Sequence, residues 1–405
     1  WFDFSNIKDV ADGVWRIEGS GRRIAGGAVP ELDVTPGGEQ EFRLKLPVIT
    51  AEPGIEYFLN LSFVTKHDTA LVKRGHEISW EQFKLPVYKE QPVIAVSSVG
   101  ALKVLENEDV VDVSGRDFSV RFDRNKGTIS SLRYKDKELL ERGPLPDFWR
   151  AYTDNDKRPL RRGRYSAIWR KVGPGWKVKA VTVVRKGPGV VFVDVKGELP
   201  DVKGTYDVTY SIYGSGEMGV FAEYRPGEQS KKLRGPHRFG MELITRKGLE
   251  KMSWFGRGPE PTYWDRKFER VGLFSSTVDK EWVDYSRPQE NGNKVDVRWL
   301  MLTDDRGVGL LFKGEPLLSV GARHYSKNQM EKSKYSFEME RSEGVYVNID
   351  MAQLGLGGIN SWGARALEAY RLENEAMSYG FRMRAFEGGI EGAQSIMKQW
   401  GRISP

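Results

Sequence analysis

The 405-residue chain contains no cysteine. Disulfide staples, thiol nucleophiles and cysteine-bound zinc are therefore excluded. Long apolar runs are missing as well. No stretch approaches the ~20 apolar residues of a membrane-spanning helix, so no membrane partner is expected. Histidine is scarce, with only His67, His76, His237 and His324. None is spaced from another as a ligand pair on a helix or strand, and no metal site follows from them. The G-x-S-x-G elbow, the P-loop and the dinucleotide fingerprint are absent. Helical periodicity is nearly absent too, and only "IEGAQSIMKQW" (Ile390 to Trp400) is expected to form a short helix. The opening "WFDFSNIKDVADGVW" has no initiator methionine and none of the regions of a signal peptide. It reads as the start of a fragment or processed subunit. Location stays open, with the cytoplasm favoured over secretion.

Charge and aromatic residues are plentiful. The 63 Lys and Arg against 56 Asp and Glu give a net charge of +7, with the signs mixed along the chain as on a solvated surface. The one local excess is "DKRPLRRGR", with Lys157, Arg158, Arg161, Arg162 and Arg164. No nucleic-acid-binding module accompanies it, so a solvated loop is the better reading and no nucleic-acid partner is expected. Aromatics make up 12% of the chain, ample for a sizeable core.

Strand alternation is nearly continuous. "EFRLKL" alternates Phe42, Leu44 and Leu46, and "YFLNLSF" alternates Tyr57, Leu59, Leu61 and Phe63. "FSVRF" puts Phe118, Val120 and Phe122 on one face, and the turn "DRNKGT" follows before "ISSLRY". "VKGTYDVTYSIYGSGEMGVFAEY" reads as two long strands around "GSGE", and "GVGLLFKG" and "VYVNIDM" as further strands. The fold class is all-β, with antiparallel sheets packed face to face. Pro86 and Pro92 bracket a polar, extended segment that suits a linker. Residues 1–90 have the length of an immunoglobulin-like sandwich, 91–96 form the linker, and 97–405 are one long β region.

Carboxylates gather in "YTDNDK" (Asp154, Asp156), "YWDR" (Asp265) and "RPQENGNK" (Glu290). Glycoside hydrolysis uses two carboxyls roughly 5–10 Å apart, a geometry that sequence spacing cannot establish. Turn formation and local Asp–Arg pairing account for the same residues. Three segments mix aromatics, glycine and polar amides: "WFGRGPEPTYWDR", "RPQENGNKVDVRW" and the glycine-rich "GLGGINSWG" around Trp362. Such mixtures suit sugar recognition, an aromatic face covering the C–H face of a pyranose while amides and carboxylates bond its hydroxyls. They suit β-turns with core aromatics equally well.

Those segments, extended to "NIDMAQLGLGGINSWG" (Asn348 to Gly363) and joined by "DFWRAYTDNDK" (Asp147 to Lys157), resemble the C-terminal region of the large β-galactosidases of glycoside hydrolase family 2. "GGAVPELDVTPGGEQEF" and "HEISWEQFKLP" are similar to the immunoglobulin-like domain that precedes it in that family. The resemblance implies an immunoglobulin-like sandwich followed by a large antiparallel supersandwich. It also implies that both catalytic glutamates lie upstream on a (β/α)₈ barrel, for which this chain has no βα alternation. No catalytic residue is therefore assigned here, and Glu290 belongs to the terminal domain's own motif. Trp362 matches the family tryptophan that stacks on the sugar. The stretch from Lys157 to Ile168, with Arg158, Arg161, Arg162 and Arg164, matches a loop bordering the active site. Pro261 departs from the family's usual glutamate, so Tyr263, Asp265 and Arg266 are read as structural.

The expected partners are a barrel-bearing N-terminal portion or large subunit and a galactoside, and self-assembly into a homo-oligomer is compatible with the family. The resemblance implies Mg or Na ions in the complete enzyme, with ligands upstream, and no metal or organic cofactor in this chain. Two alternatives use the same residues. One is a non-catalytic carbohydrate-binding module built on the aromatics. The other is an aldose-epimerase-type enzyme, which would need His237 and His324 together with a carboxylate as its acid and base.

Overall fold

The computed structural model describes residues 4–95, 98–157, 167–230, 232–360 and 362–400, with a final strand at Ile403–Ser404. The chain divides into two compact units. The first comprises Trp1–Val93 together with Ile396–Arg402, and the second comprises Ile94–Ser395 with Ile403–Pro405. Within the first unit, Gln91 Nε2 donates to the Met397 carbonyl at 2.5 Å, and Lys398 pairs with Glu52 at 2.7 Å. The expected 91–96 linker contains a strand of its own, since Ile94–Ala95 pairs in parallel with Ile403–Ser404.

The first unit has a four-stranded antiparallel sheet in the order Arg22–Ala28, Ala11–Gly19, Tyr57–Thr65, Glu77–Lys84. Two expectations change here. Leu59, Leu61 and Phe63 are only half-buried, and the opposite face of their strand is the more covered, with Phe58, Asn60 and Ser62 buried. Buried Asn60 is tolerated because its side-chain oxygen accepts from Gln82, directly across the ladder, at 2.8 Å. "EFRLKL" alternates in exposure as a strand does, but it joins no ladder among the described residues. The immunoglobulin-like reading calls for two sheets; the described strands of this unit form one.

In the second unit, twelve strands assemble into one antiparallel sheet. Its main path runs Leu140–Asp147, Arg238–Thr245, Tyr346–Gln353, Gly309–Arg323, Met377–Phe386, Glu217–Arg225, Gly204–Tyr213, Val190–Leu199, Lys177–Arg185. The alternation explains the layering. Tyr206, Val208, Tyr210 and Ile212 are buried, while Asp207, Thr209 and Ser211 between them are not. Phe148 and Phe239 join Tyr206, Tyr224 and Tyr379 in a cluster of edge-on and tilted rings. Such contacts add to the area term in a core that has no disulfide. A five-stranded meander carries Phe118, Val120 and Phe122, buried as their alternation requires.

The expected helix forms over Gly389–Gln399. Short helices also form at Asp154–Lys157, Trp169–Val172 and Lys327–Lys332. The last starts at a reciprocal cap. Ser326 Oγ accepts from the Gln329 N–H at 3.2 Å, and Gln329 Oε1 accepts from the Ser326 N–H at 3.1 Å. No helix among the described residues is long and apolar enough to cross a membrane.

Candidate functional site

The strand Tyr346–Gln353 ends where "GLGGINSWG" begins, and other segments grip the chain as it leaves the sheet. The Arg150 guanidinium is fully buried and bidentate on Asp156, at 3.1 and 3.0 Å. It also donates to the carbonyls of Leu354 and Gly355. Burial opposes the charge on Asp156, but the Arg150 guanidinium outweighs it and holds the carboxyl below its ordinary range. From another side, Asp265 accepts the backbone N–H groups of Leu356 and Gly357, each at 2.8 Å. Asn155 Nδ2 donates to the Leu356 carbonyl at 3.1 Å.

The loop then turns on residues that can adopt a left-handed backbone. Gly357, Gly358 and Gly363 have φ of 70°, 81° and 86°. Asn360 Oδ1 accepts the Trp362 N–H at 2.9 Å, a local turn that fixes the tip. The Trp362 side chain is 94% exposed. An indole so exposed leaves most of its apolar surface in water, and it contributes nothing to the core. The reading of Trp362 as buried filler is therefore wrong.

Below the loop lies a buried ionic network. Arg238 is fully buried, with Asp147 at 3.2 Å, Glu290 at 3.2 Å and Asp350 at 3.0 Å. Asp147 also accepts from Lys327 and from Asn348. Glu242 joins Arg142, Arg323 and Lys327. Burial works against a charged Asp147, yet Lys327 and Arg238 hold it well below the usual carboxylate range. Asp350 goes the other way. Burial, together with the nearby Asp147 and Glu290, pushes it well above that range despite Arg238. Gly240 makes room for it, since a Cβ there would lie 2.0 Å from Asp350 Oδ1. The sequence reading missed Arg238, Glu242, Arg323 and Lys327. The one available signal was the Ser326–Gln329 cap, which positions Lys327.

The remaining candidates take definite places. Lys157 ends the Asp154–Lys157 helix and pairs with Asp154 at 3.2 Å. Arg158, Arg161, Arg162 and Arg164 lie outside the described residues. Asp154 also accepts from Gln289 of "RPQENGNK" at 3.3 Å. Asp265 serves the loop, and among the described residues it forms no ion pair with Arg266. Tyr263 is buried. The carboxylates considered for catalysis are thus engaged in holding the structure.

His237 and His324 do not meet. His237 adjoins Arg238, whose partner is Gln353, and His324 adjoins Arg323, whose partner is Tyr346. Seven residue steps of one strand separate those positions, about 23 Å. The epimerase-type pairing fails on that distance. His324 sits instead with Glu250 and Asp279, a grouping of metal-ligand type. Arg341 Nη2 fills its centre, 2.9 Å from Glu250, Asp279 and His324 Nε2 alike, so a guanidinium stands where a metal would.

Comparison with known proteins agrees with this arrangement of motifs. Residues 114–383 match the family model of the β-galactosidase small chain, and residues 1–86 match that of β-galactosidase domain 4. A β-galactosidase of Priestia megaterium is 35% identical over 374 residues, covering 91% of this chain and 35% of the relative. One from Lactobacillus delbrueckii subsp. bulgaricus is 31% identical, covering 84% of this chain and 32% of the relative. The chain therefore spans about a third of the length of the curated relatives it matches. With most of the second unit inside the matched region, the chain belongs to the β-galactosidase small-chain family.

Proposed function

We propose that this chain is the terminal part of a retaining β-galactosidase of the family 2 type. It would complete a pocket whose catalytic glutamates lie on a barrel outside these residues, and Trp362 would stack on the galactosyl ring. The observation that carries the reading is the contrast within one loop. Arg150, Asn155 and Asp265 fasten its stem, and the indole at its tip is left 94% exposed. Groups fixed in advance on a rigid support raise affinity by lowering the ordering cost of binding. The basic stretch from Lys157 to Arg164 would border the same pocket. Two carboxyls acting through a covalent galactosyl-enzyme would perform the hydrolysis, and neither belongs to this chain.

The test has two arms. The purified 405-residue chain should not hydrolyse a chromogenic β-galactoside above background. Adding the barrel-bearing portion of the enzyme should produce activity, and Trp362→Ala in that assembly should lower kcat/KM by about tenfold or more, the loss of one aromatic–sugar contact in a desolvated pocket. Turnover by the isolated chain would overturn the composite-site reading. The same exposed tryptophan also suits a free-standing carbohydrate-binding module. Saturable galactose binding by the isolated chain, abolished in Trp362→Ala, would favour that second reading.

A further inference from the structure

Behind the Trp362 loop is a small cleft enclosing about 60 Å³. Asn155, Arg234, His237, Leu356, Arg365 and Leu372 contribute to its wall. We propose that this cleft binds a small oxyanion, either free or as the phosphate group of a phosphorylated sugar, between the Arg234 and Arg365 guanidinia, with the His237 ring as the wall behind them.

Three observations converge. First, the cleft has a fixed back wall, since the His237 ring is only 6% exposed and Trp149 and Tyr152 pack edge-on against it at 4.6 and 5.5 Å. Second, neither Arg234 nor Arg365 forms an ion pair among the described residues. Arg365 is partly buried, and Arg371 and Arg234 both repel it. An anion between the two guanidinia would relieve that repulsion and supply the planar, two-point contact that guanidinium favours. Third, the charges around the cleft leave an excess of one sign. Arg150, Arg234, Arg365 and Arg371 face Asp156, Glu368 and Glu373. Asp156 is already matched by its bidentate contact with Arg150. The cleft has room for a tetrahedral oxyanion.

Position gives the site a consequence. Leu354, Gly355 and Leu356 line the cleft on one arm of the loop, and Ala364, Arg365 and Ala366 line it on the other. An anion held by Arg365 would tie the returning arm, three residues after Trp362, to the body of the unit. Occupancy would therefore pin the tip from both sides.

Calorimetric titration of the chain with inorganic phosphate, in a chloride buffer near neutral pH, tests the proposal. Saturable binding is expected with a dissociation constant of about 1 mM or tighter. Arg365→Gln and Arg234→Gln should each weaken it by about tenfold, the loss expected for one charge-assisted contact. Lys177→Gln, at an exposed strand end outside the cleft wall, should leave it unchanged. A parallel titration with galactose 6-phosphate identifies the source. Tighter binding than phosphate indicates a phosphorylated sugar, and equal binding indicates the free oxyanion. Absence of saturation up to about 20 mM phosphate, or variants that bind as tightly as the parent, would overturn the site. Arg234 is exposed and Arg365 only partly buried, so loss of folding would not mimic loss of binding. Trp362→Ala should still bind phosphate, which keeps this outcome separate from the galactoside reading.

Discussion

Asp265 and Gly357 are 92 positions apart in the chain, and the carboxylate of one accepts the backbone N–H of the other at 2.8 Å. Leu356 contributes a second such bond, also at 2.8 Å. Two backbone donors on one carboxylate set the direction in which the glycine-rich loop leaves its strand. Asp265→Ala would leave both donors without their acceptor and should loosen the loop more than the sheet. Amide exchange at Leu356 and Gly357 should accelerate by about a hundredfold, corresponding to roughly 3 kcal/mol for two charge-assisted bonds. Unchanged exchange at those two amides would contradict the role given to Asp265.

Trp362→Ala should be nearly silent in stability. The side chain is 94% exposed, so its removal opens no cavity, and the denaturation midpoint should move by less than about 0.5 kcal/mol equivalent. A loss of several kcal/mol would mean that the indole packs against this chain in solution.

Arg238→Met should be severely destabilising. The guanidinium is fully buried among Asp147, Glu290 and Asp350, and its loss leaves the buried Asp147 and Glu290 carboxylates without their shared cation. Breaking a buried ionic group from one side costs about 3–5 kcal/mol, readable from urea unfolding of the second unit. A cost below about 1 kcal/mol would show that Asp147 and Glu290 find other partners.

His237 should make the protein sensitive to mild acid. Burial, aided by Arg150 and Arg365 and opposed by Asp156, pushes its pKa down to about 4 from the ordinary 6.5. The folded state then resists a proton that the unfolded state accepts. The stabilising contribution is complete above pH 6.5 and is lost as the pH falls toward 4, by about 3 kcal/mol in all. Unfolding free energies measured across that range, in buffer free of phosphate and sulfate, should fall more steeply for the parent than for His237→Gln. Parallel curves would remove His237 as the cause.

The strands were legible because their cause is local. Alternation at Phe118, Val120 and Phe122, or along Tyr206 to Ile212, needs only a period of two. The same rule misplaced Leu59, Leu61 and Phe63. Both faces of that strand carry bulk, and the cross-strand Asn60–Gln82 bond lets the polar face go inward. "EFRLKL" shows the complementary limit, because alternation specifies an extended segment and not a ladder partner. The ionic network was invisible for a different reason. Arg238 reaches Asp147 from 91 positions away, and Asn348 reaches it from 201, separations that leave no periodic trace. From its own neighbours Trp362 was legible as a question only, and its expected role came from the family resemblance. Its glycines allowed a projecting loop, but the grip of Arg150 and Asp265 that makes the loop project is a property of the fold.

The division of labour in that loop bears on how such a protein can change over generations. The residues that hold the stem are buried and mutually dependent, so substitutions there are costly. The tip rests on a single local turn from Asn360 and touches little else. Mutations at position 362 are therefore nearly free of a folding penalty, and under the proposed function selection would act on them through ligand preference alone. A lineage could exchange the indole for another side chain without passing through an unstable intermediate.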